Sequence, residues 1–384
     1  MAAAVANPSA STGSIPWYIW LTALGVTSAM VGVQWDISWH RSIGRDTFWT
    51  PAHLAIQLCG VIAGITCGYL ILWTTFAKSA LRESSVGVLG FRGPLGAFVT
   101  AWGGFTMITS APFDDWWHNA YGLDVKILSP PHVVLAMGLF GVALGALVLL
   151  APLMNASEGR DRDRHRALFL YLAGMMLLAG MSLVLEFSGR VVLHSASSYR
   201  TICMVAPITL SMAAGATGDR WASSKVAGVY SVILLGLLWI LPLFPAQPKL
   251  GPVLREVTHF IPNGFPLLLI VPAFAMDLVR PRLAGWTPFR KALVLGTIFF
   301  AVYLGVEWPF ADFLQSPGAR NAFFGSHYIE FFSPPQSYAA TYTYAPLEKT
   351  SAEFWSRMAQ ALVAAVLATW FGLVRGGWLG GIRR

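Results

Sequence analysis

The sequence predicts an all-α fold, a polytopic transmembrane helical bundle of about ten helices with a tandem repeat of helix pairs in its N-terminal half. Three observations predict it. The 384 residues are 55% hydrophobic and only 11% charged, whereas soluble domains carry about a quarter charged residues. Several apolar runs reach the roughly 20 residues that a helix needs to cross a bilayer. Those runs are continuous rather than alternating, which argues against a membrane β-barrel.

The opening, "MAAAVANPSASTGSIPW", has no Lys or Arg and so lacks the basic start of a cleaved signal peptide. Residues 1–15 read as a flexible lead. Membrane helices are expected near 16–35, 53–77, 86–110, 131–154, 166–186, 200–217, 223–244, 262–280, 289–308 and 355–375. The second and fourth open on Thr50-Pro51 and Ser129-Pro130, an N-cap followed by proline in the first turn. The sixth is short, and proline interrupts the eighth. Residues 16–155 hold the repeat. Residues 156–384 hold the further helices and a long outer loop at 312–354, rich in Tyr, Phe and Pro, of the kind that often serves as a lid or docking surface. Cys59, Cys67 and Cys203 fall inside helices without C-x-x-C spacing and read as small packing residues.

With the N-terminus in the cytoplasm, sixteen of the 26 Lys and Arg residues fall inside and twelve of the 18 acids outside, the bias of the positive-inside rule. Both termini are therefore expected in the cytoplasm and the chain in the plasma (inner) membrane. The net charge of +8 is then a topology signal, and a nucleic-acid partner has no support. The same arrangement puts seven of the eight histidines at the outer face, where their collection suggests chemistry.

Two stretches carry that chemistry. "WDISWHRSIGRDTFWTPAH", Trp35 to His53, is echoed by "FDDWWHNAYGLDVKILSPPH", Phe113 to His132. Each reads D-x3-H-x3-G-x-D and then [ST]-P-x-H: Asp36, His40, Gly44, Asp46 and His53, then Asp114, His118, Gly122, Asp124 and His132. An Asp and a His four apart lie on one face of a helix, one turn above the other. The N-cap and proline place the closing histidine about three residues into the next helix, at the same depth. Each copy can thus aim one carboxylate and two imidazoles at a common point, a set that suits Cu, Zn or Fe(II).

Asp46, Asp115 and Asp124 are candidates to orient the histidine rings as hydrogen-bond acceptors. Asp115, beside Asp114, adds negative charge and leads to the expectation that the second site is the tighter. Trp35, Trp39, Trp49, Trp116 and Trp117 fit an interfacial aromatic belt. One copy alone would read as hydrated polar groups at a helix end, or as partners of Arg41 and Arg45. Two matched copies favour metal, because ionisable residues in membrane segments are usually functional. Duplication of a packing unit is the other explanation.

The spacings D-x3-H-x12-H (Asp36, His40, His53) and D-x3-H-x13-H (Asp114, His118, His132) resemble those of the C subunit of the copper membrane monooxygenases, the particulate methane and ammonia monooxygenases. The resemblance covers residues 16–155. Asp114 stands where that family has Asn, and nothing in 156–384 is similar to it. The resemblance implies copper at the six ligands and hydroxylation of a small apolar substrate with O2 on the outer side. It also implies other membrane subunits and an outer electron donor or cupredoxin-like subunit. A copper import or insertion factor and a structural subunit of a membrane redox complex are the competing readings.

In the second half, "GSHYIEFFSPPQ" from Gly325 is a worn third copy in which Gln336 replaces the closing histidine, with His327 and Glu330 as possible neighbours of Glu307. Glu186 and Arg190 are expected to form an internal pair ahead of His194, and His259 to cap or hydrate the start of the eighth helix.

Overall fold

The computed structural model describes residues 15–44, 49–77, 80–83, 85–122, 128–250, 257–325 and 344–383. Among them are ten α-helices: α1 (Trp17–Ser42), α2 (Pro51–Phe76), α3 (Leu95–Tyr121), α4 (Pro130–Ala156), α5 (Gly159–Leu183), α6 (Ala196–Thr217), α7 (Ala222–Ile240), α8 (Ile270–Val279), α9 (Pro288–Gln315) and α10 (Ser351–Gly381). The chain is an all-α bundle. Six of its helices are long and apolar enough to cross a membrane, namely α2, α4, α5, α7 with the turn that follows it, α9 and α10. The chain is thus a multi-pass membrane protein suited to a lipid bilayer.

Helices α1 to α4 pack side by side, α1 on α2, α2 on α3, α3 on α4, and α4 back against α1. Small residues allow the closest approaches, as is usual where lipid removes the hydrophobic drive between helices. Adjacent glycines on α3 serve two neighbours at once. A Cβ at Gly103 would lie 2.5 Å from the Val142 nitrogen of α4, and one at Gly104 would lie 2.8 Å from the Gly60 oxygen of α2. Any larger residue would push the two helix pairs apart.

In two of the expected helices a long stretch is not helical in the structure. The third begins at Leu95, because residues 86–93 form a hairpin of β1 (Val86–Val88) and β2 (Phe91–Gly93). Leu89 and Gly90 turn it with φ of 50° and 85°. Gly87, Gly90 and Gly93 weaken a helix here, and Pro94 restricts the residue before it. In the eighth, only the second half is helical. Residues 257–269 run extended along α1, since Pro262, Gly264 and Pro266 cannot sustain a helix.

Backbone groups inside an apolar bundle need partners, and side chains supply them along the extended stretch. Ser42 Oγ accepts from the Ile261 N–H at 2.7 Å, and Ser38 Oγ donates to the Ile261 carbonyl at 2.5 Å. The Tyr230 hydroxyl accepts from the Leu267 N–H at 3.3 Å, and the buried Glu307 carboxylate from the Leu268 N–H at 2.9 Å.

The bundle has a basic end. Asp219, in the α6–α7 turn, binds Lys225 at 2.7 Å and Arg166 of α5 at 3.4 Å, and its carbonyl accepts from Arg280. Burial pushes the Asp219 carboxyl up, but the Lys225 and Trp221 hydrogen bonds and the nearby cations outweigh it and hold the group below its usual range. Asn155, at the end of α4, donates to the carbonyls of Leu379 and Ile382, so α10 ends at this face. Trp17 meets Tyr69 of α2 at 6.0 Å, so α1 begins there. Both ends of the described chain therefore lie at the basic face, and the two histidine motifs lie at the other.

Candidate metal centre

Each motif is built from the end of one helix and the start of the next. Helices α1 and α3 run further than the hydrophobic runs alone indicate, to Ser42 and Tyr121. Asp36 and His40, and Asp114 and His118, therefore lie on the closing turns of regular helix at four-residue spacing. Gly44 and Gly122 follow with φ of 98° and 83°, a region where a Cβ is strained. The shared glycine thus has a backbone reason: it turns the chain off its helix toward the next one. Pro51 and Pro130 then open α2 and α4, which makes His53 and His132 the third helical residue in each.

In the first copy, Asp36 Oδ1 lies 3.2 Å from His53 Nε2, and Oδ2 lies 3.6 Å from His40 Nε2. One ligand atom from each of the three residues lies within 4.8 Å of the others. In the second copy, Asp114 Oδ1 faces both rings, at 3.3 Å from His118 Nε2 and 3.9 Å from His132 Nε2. This set does not reach the closure of the first. Its connection is one residue longer, and its cap is weaker. Thr50 Oγ1 accepts from the His53 N–H at 3.2 Å, whereas Ser129 makes no side-chain cap bond.

The two copies share one further property. Asp36 Oδ1 and Asp114 Oδ1 are buried, and neither accepts a hydrogen bond among the described residues. A buried carboxylate oxygen without a donor is costly. A cation held between it and the facing imidazoles removes that cost, so the donor set fits a metal ion. His118 also places Nδ1 3.3 Å from the Gly122 carbonyl. A proton on that nitrogen leaves Nε2 as the lone pair toward Asp114, the usual way an outer partner fixes a ligand ring.

The candidates for orienting residues fare differently. Asp115 is exposed and accepts from Asn119 at 3.3 Å. One residue along the helix from Asp114, it points off the motif face, so its expected role of orienting a histidine is not seen. Asp46 and Asp124 lie outside the described residues, as do His327, Glu330 and Gln336 of the third copy. Trp39 is not part of an aromatic belt: it is 8% exposed and packs on Phe260 at 5.9 Å. Trp49, at 74%, and Trp116, at 54%, are exposed.

Arg190 does not pair with Glu186. It is buried and donates to the Leu314 carbonyl at 3.2 Å, while Glu186 is exposed. His194 is stacked between Trp308 and Tyr344, at 4.0 and 3.8 Å, and lies 3.5 Å from Asp312. His259 is exposed and pairs with Thr258 at 3.0 Å.

Sequence reasoning missed a second polar centre, where the extended stretch crosses α1. Arg41 Nη1 donates to Asn263 Oδ1 at 3.2 Å, Asn263 Nδ2 to Gln34 Oε1 at 2.6 Å, and Gln34 Nε2 to Ser182 Oγ at 2.7 Å. The available signal was "IPNGFP", an interrupted hydrophobic segment of the kind that marks binding sites in membrane proteins. No family model matches this chain, and no curated protein or solved structure shows a significant match to it.

Proposed function

We propose that this chain is a copper-binding integral membrane subunit, with Asp36, His40 and His53 as one site and Asp114, His118 and His132 as another. One observation carries the reading: in both copies an aspartate faces two imidazole nitrogens at the same end of the bundle, and its buried Oδ1 accepts no hydrogen bond among the described residues. A carboxylate with two imidazoles suits Cu, with Zn and Fe(II) as competitors. The choice of copper rests on the resemblance in spacing to the C subunit of the copper membrane monooxygenases. That resemblance also supports a place in an oxygen-dependent monooxygenase acting on a small apolar substrate.

Bound copper would supply one-electron and O2 chemistry. The chain's own part is to gather the ligands, to hold the His118 ring by Gly122, and to keep one oxygen of each aspartate buried. In this reading the motif end faces outward and both termini are cytoplasmic, with other membrane subunits and an outer electron donor as partners. Copper import or insertion is the second reading. The 44% exposure of the His40 side chain favours it, since exchange needs access.

Metal per chain, measured by mass spectrometry after copper loading, tests the ligand sets, and EPR tests for nitrogen-coordinated Cu(II). Wild type should hold a full complement, and Asp36→Ala or His118→Ala half of it. No bound metal in wild type, or unchanged content in both variants, would make the repeat a packing duplication. Retention of copper against a soluble chelator favours the resident oxygenase site, and rapid loss favours handling.

A further inference from the structure

Asp219, Asp277 and Glu307 are the acids buried among the described residues. The first two are met by charge or by several donors. Asp219 has Lys225 and Arg166, and Asp277 takes the N–H and the hydroxyl of Ser224, both at 2.8 Å, with Arg280 at 4.0 Å. Glu307 of α9, 1% exposed, has one donor, the Leu268 N–H on Oε2, and no ion pair among the described residues. Its Oε1 has no hydrogen-bond partner there. Nothing in the metal reading uses this residue.

Two phenols beside it are in the same position. Tyr303, one turn earlier on α9, and Tyr199 on α6 are 0% and 1% exposed, with their rings 5.4 Å apart. Neither hydroxyl has a hydrogen-bond partner among the described residues. Both side chains lie within electrostatic reach of Glu307. Tyr230 of α7 completes the group, since its hydroxyl and Glu307 Oε2 accept from the adjoining N–H groups of Leu267 and Leu268. Buried polar atoms without partners are rare and call for a functional role or a bound species. An ionisable side chain within a membrane bundle points the same way.

We propose that Glu307 is a proton-binding site inside the bundle, a neutral carboxylic acid that exchanges its proton with the motif end by way of Tyr199. A carboxylate without a counter-charge is far more costly in an apolar interior than the neutral acid, so such a group takes up a proton. The Leu268 N–H then bonds the acid's carbonyl oxygen, and Oε1 carries the proton. A metal cation would also neutralise Glu307, but hard cations gather about six or more oxygens. This place offers one unpartnered carboxyl oxygen and two phenols.

Tyr199 also lies within electrostatic reach of Asp312 and Tyr344. There the Tyr344 hydroxyl donates to Asp312 Oδ1 at 3.0 Å, and the Asp312 side chain is 58% exposed. Uptake moves one proton from solvent at Asp312 to the Tyr199 oxygen, while the Tyr199 hydrogen passes to Glu307 Oε1. Water spans the gaps between these groups, and release reverses both transfers.

Among the described residues, the titratable groups around Glu307 are Tyr303 of α9, Tyr199 and Cys203 of α6, and Tyr230 of α7. Of the other elements packed on α9, α8 brings Asp277, which Ser223 and Ser224 hold, and α10 brings Glu353 and Arg357, which pair with each other. The turn after α5 brings Arg190, which donates to the Leu314 carbonyl.

The test is infrared spectroscopy of the full-length protein in dodecyl maltoside, a detergent without a carbonyl group. At about pH 6, where ordinary glutamates are ionised, wild type should show the carbonyl stretch of a neutral carboxylic acid. The band should move to lower frequency in D2O and fall reversibly as the pH is raised to about 9. Glu307→Gln, whose amide oxygen can keep the Leu268 bond, should lack it. Labelling wild type with carbonyl-13C glutamate should shift the band, which keeps the test open if the variant fails to fold. Tyr199→Phe should keep the band and slow its shift on mixing into D2O by at least about tenfold.

Absence of a label-sensitive acid band in wild type overturns the proposal, and so does its survival in folded Glu307→Gln. A band indifferent to pH overturns the exchange, and an unchanged rate in Tyr199→Phe overturns the route. Loss of the band when sodium chloride replaces choline chloride assigns the site to a metal cation and overturns the proton assignment.

Discussion

The two copies of the motif share their ligands and differ in how firmly they are held. The first has a threonine cap bonded to the backbone of its closing histidine, and ligand atoms within 4.8 Å of one another. The second has an unbonded serine cap, a longer connection, and 3.9 Å between Asp114 and His132. Counting charges favours the second copy, which has Asp115 beside Asp114. Geometry favours the first, because Asp115 is exposed and lies one residue off the motif face. On the proposed metal reading, the held triad with the shorter reach argues for the first copy as the tighter site, the opposite of the order expected from the sequence.

The largest test of this comparison is ligand removal on the proposed metal reading. In competition with a graded chelator, wild type should release metal in two steps. Asp36→Ala should abolish the tighter step and His118→Ala the weaker, each by at least about a hundredfold in affinity. If His118→Ala removes the tighter step, charge has beaten geometry.

Next in size is the shared turn. Gly44→Ala and Gly122→Ala each force a Cβ into positive φ and should cost about 1–2 kcal/mol in thermal or denaturant unfolding. Similar losses are expected, because the two φ values are close. A neutral result at either position would show that the turn relaxes.

The caps should separate the copies more finely. Thr50→Ala removes a real N-cap bond and should cost about 1 kcal/mol while loosening His53. Ser129→Ala removes a hydroxyl that is buried and unbonded, and should be close to neutral. Equal costs in unfolding measurements would mean that the caps do not distinguish the copies. The smallest expected effect is that of Asp115→Asn, which should leave the metal content of the second copy unchanged by mass spectrometry. A fall there would restore the long-range charge argument.

Much of this site was legible in the sequence, for physical reasons. Four-residue spacing fixes Asp36 with His40 and Asp114 with His118 on one helical face whatever the tertiary fold. Thr-Pro and Ser-Pro fix where α2 and α4 begin, hence His53 and His132. Other features depend on contacts distant in the chain and could not be read locally. Trp39 is buried in a cluster that Leu241, Ala246, Val257, Phe260 and Ile261 bring back over the end of α1. Arg190 turns inward to Leu314 rather than to Glu186, four residues away, because α5 has already ended at Leu183. The eighth helix was misread because its apolar composition indicates a span, while Pro262, Gly264 and Pro266 decide its conformation.

The serines that clamp Ile261 have a consequence for the first copy alone. Ser38 and Ser42 lie on either side of His40 along α1, so the stretch bearing Asp36 and His40 is a beam fixed to a second support. Helix α1 also packs against α5 and α7, whereas α3 packs chiefly on α2 and α4. The Asp114–His118 end is closer to a cantilever, free to swing with its own hairpin. Amide exchange at the end of α3 should therefore outpace that at the end of α1. Of two otherwise matched ligand sets, the one on the beam is suited to keep what it holds and the one on the cantilever to hand it on.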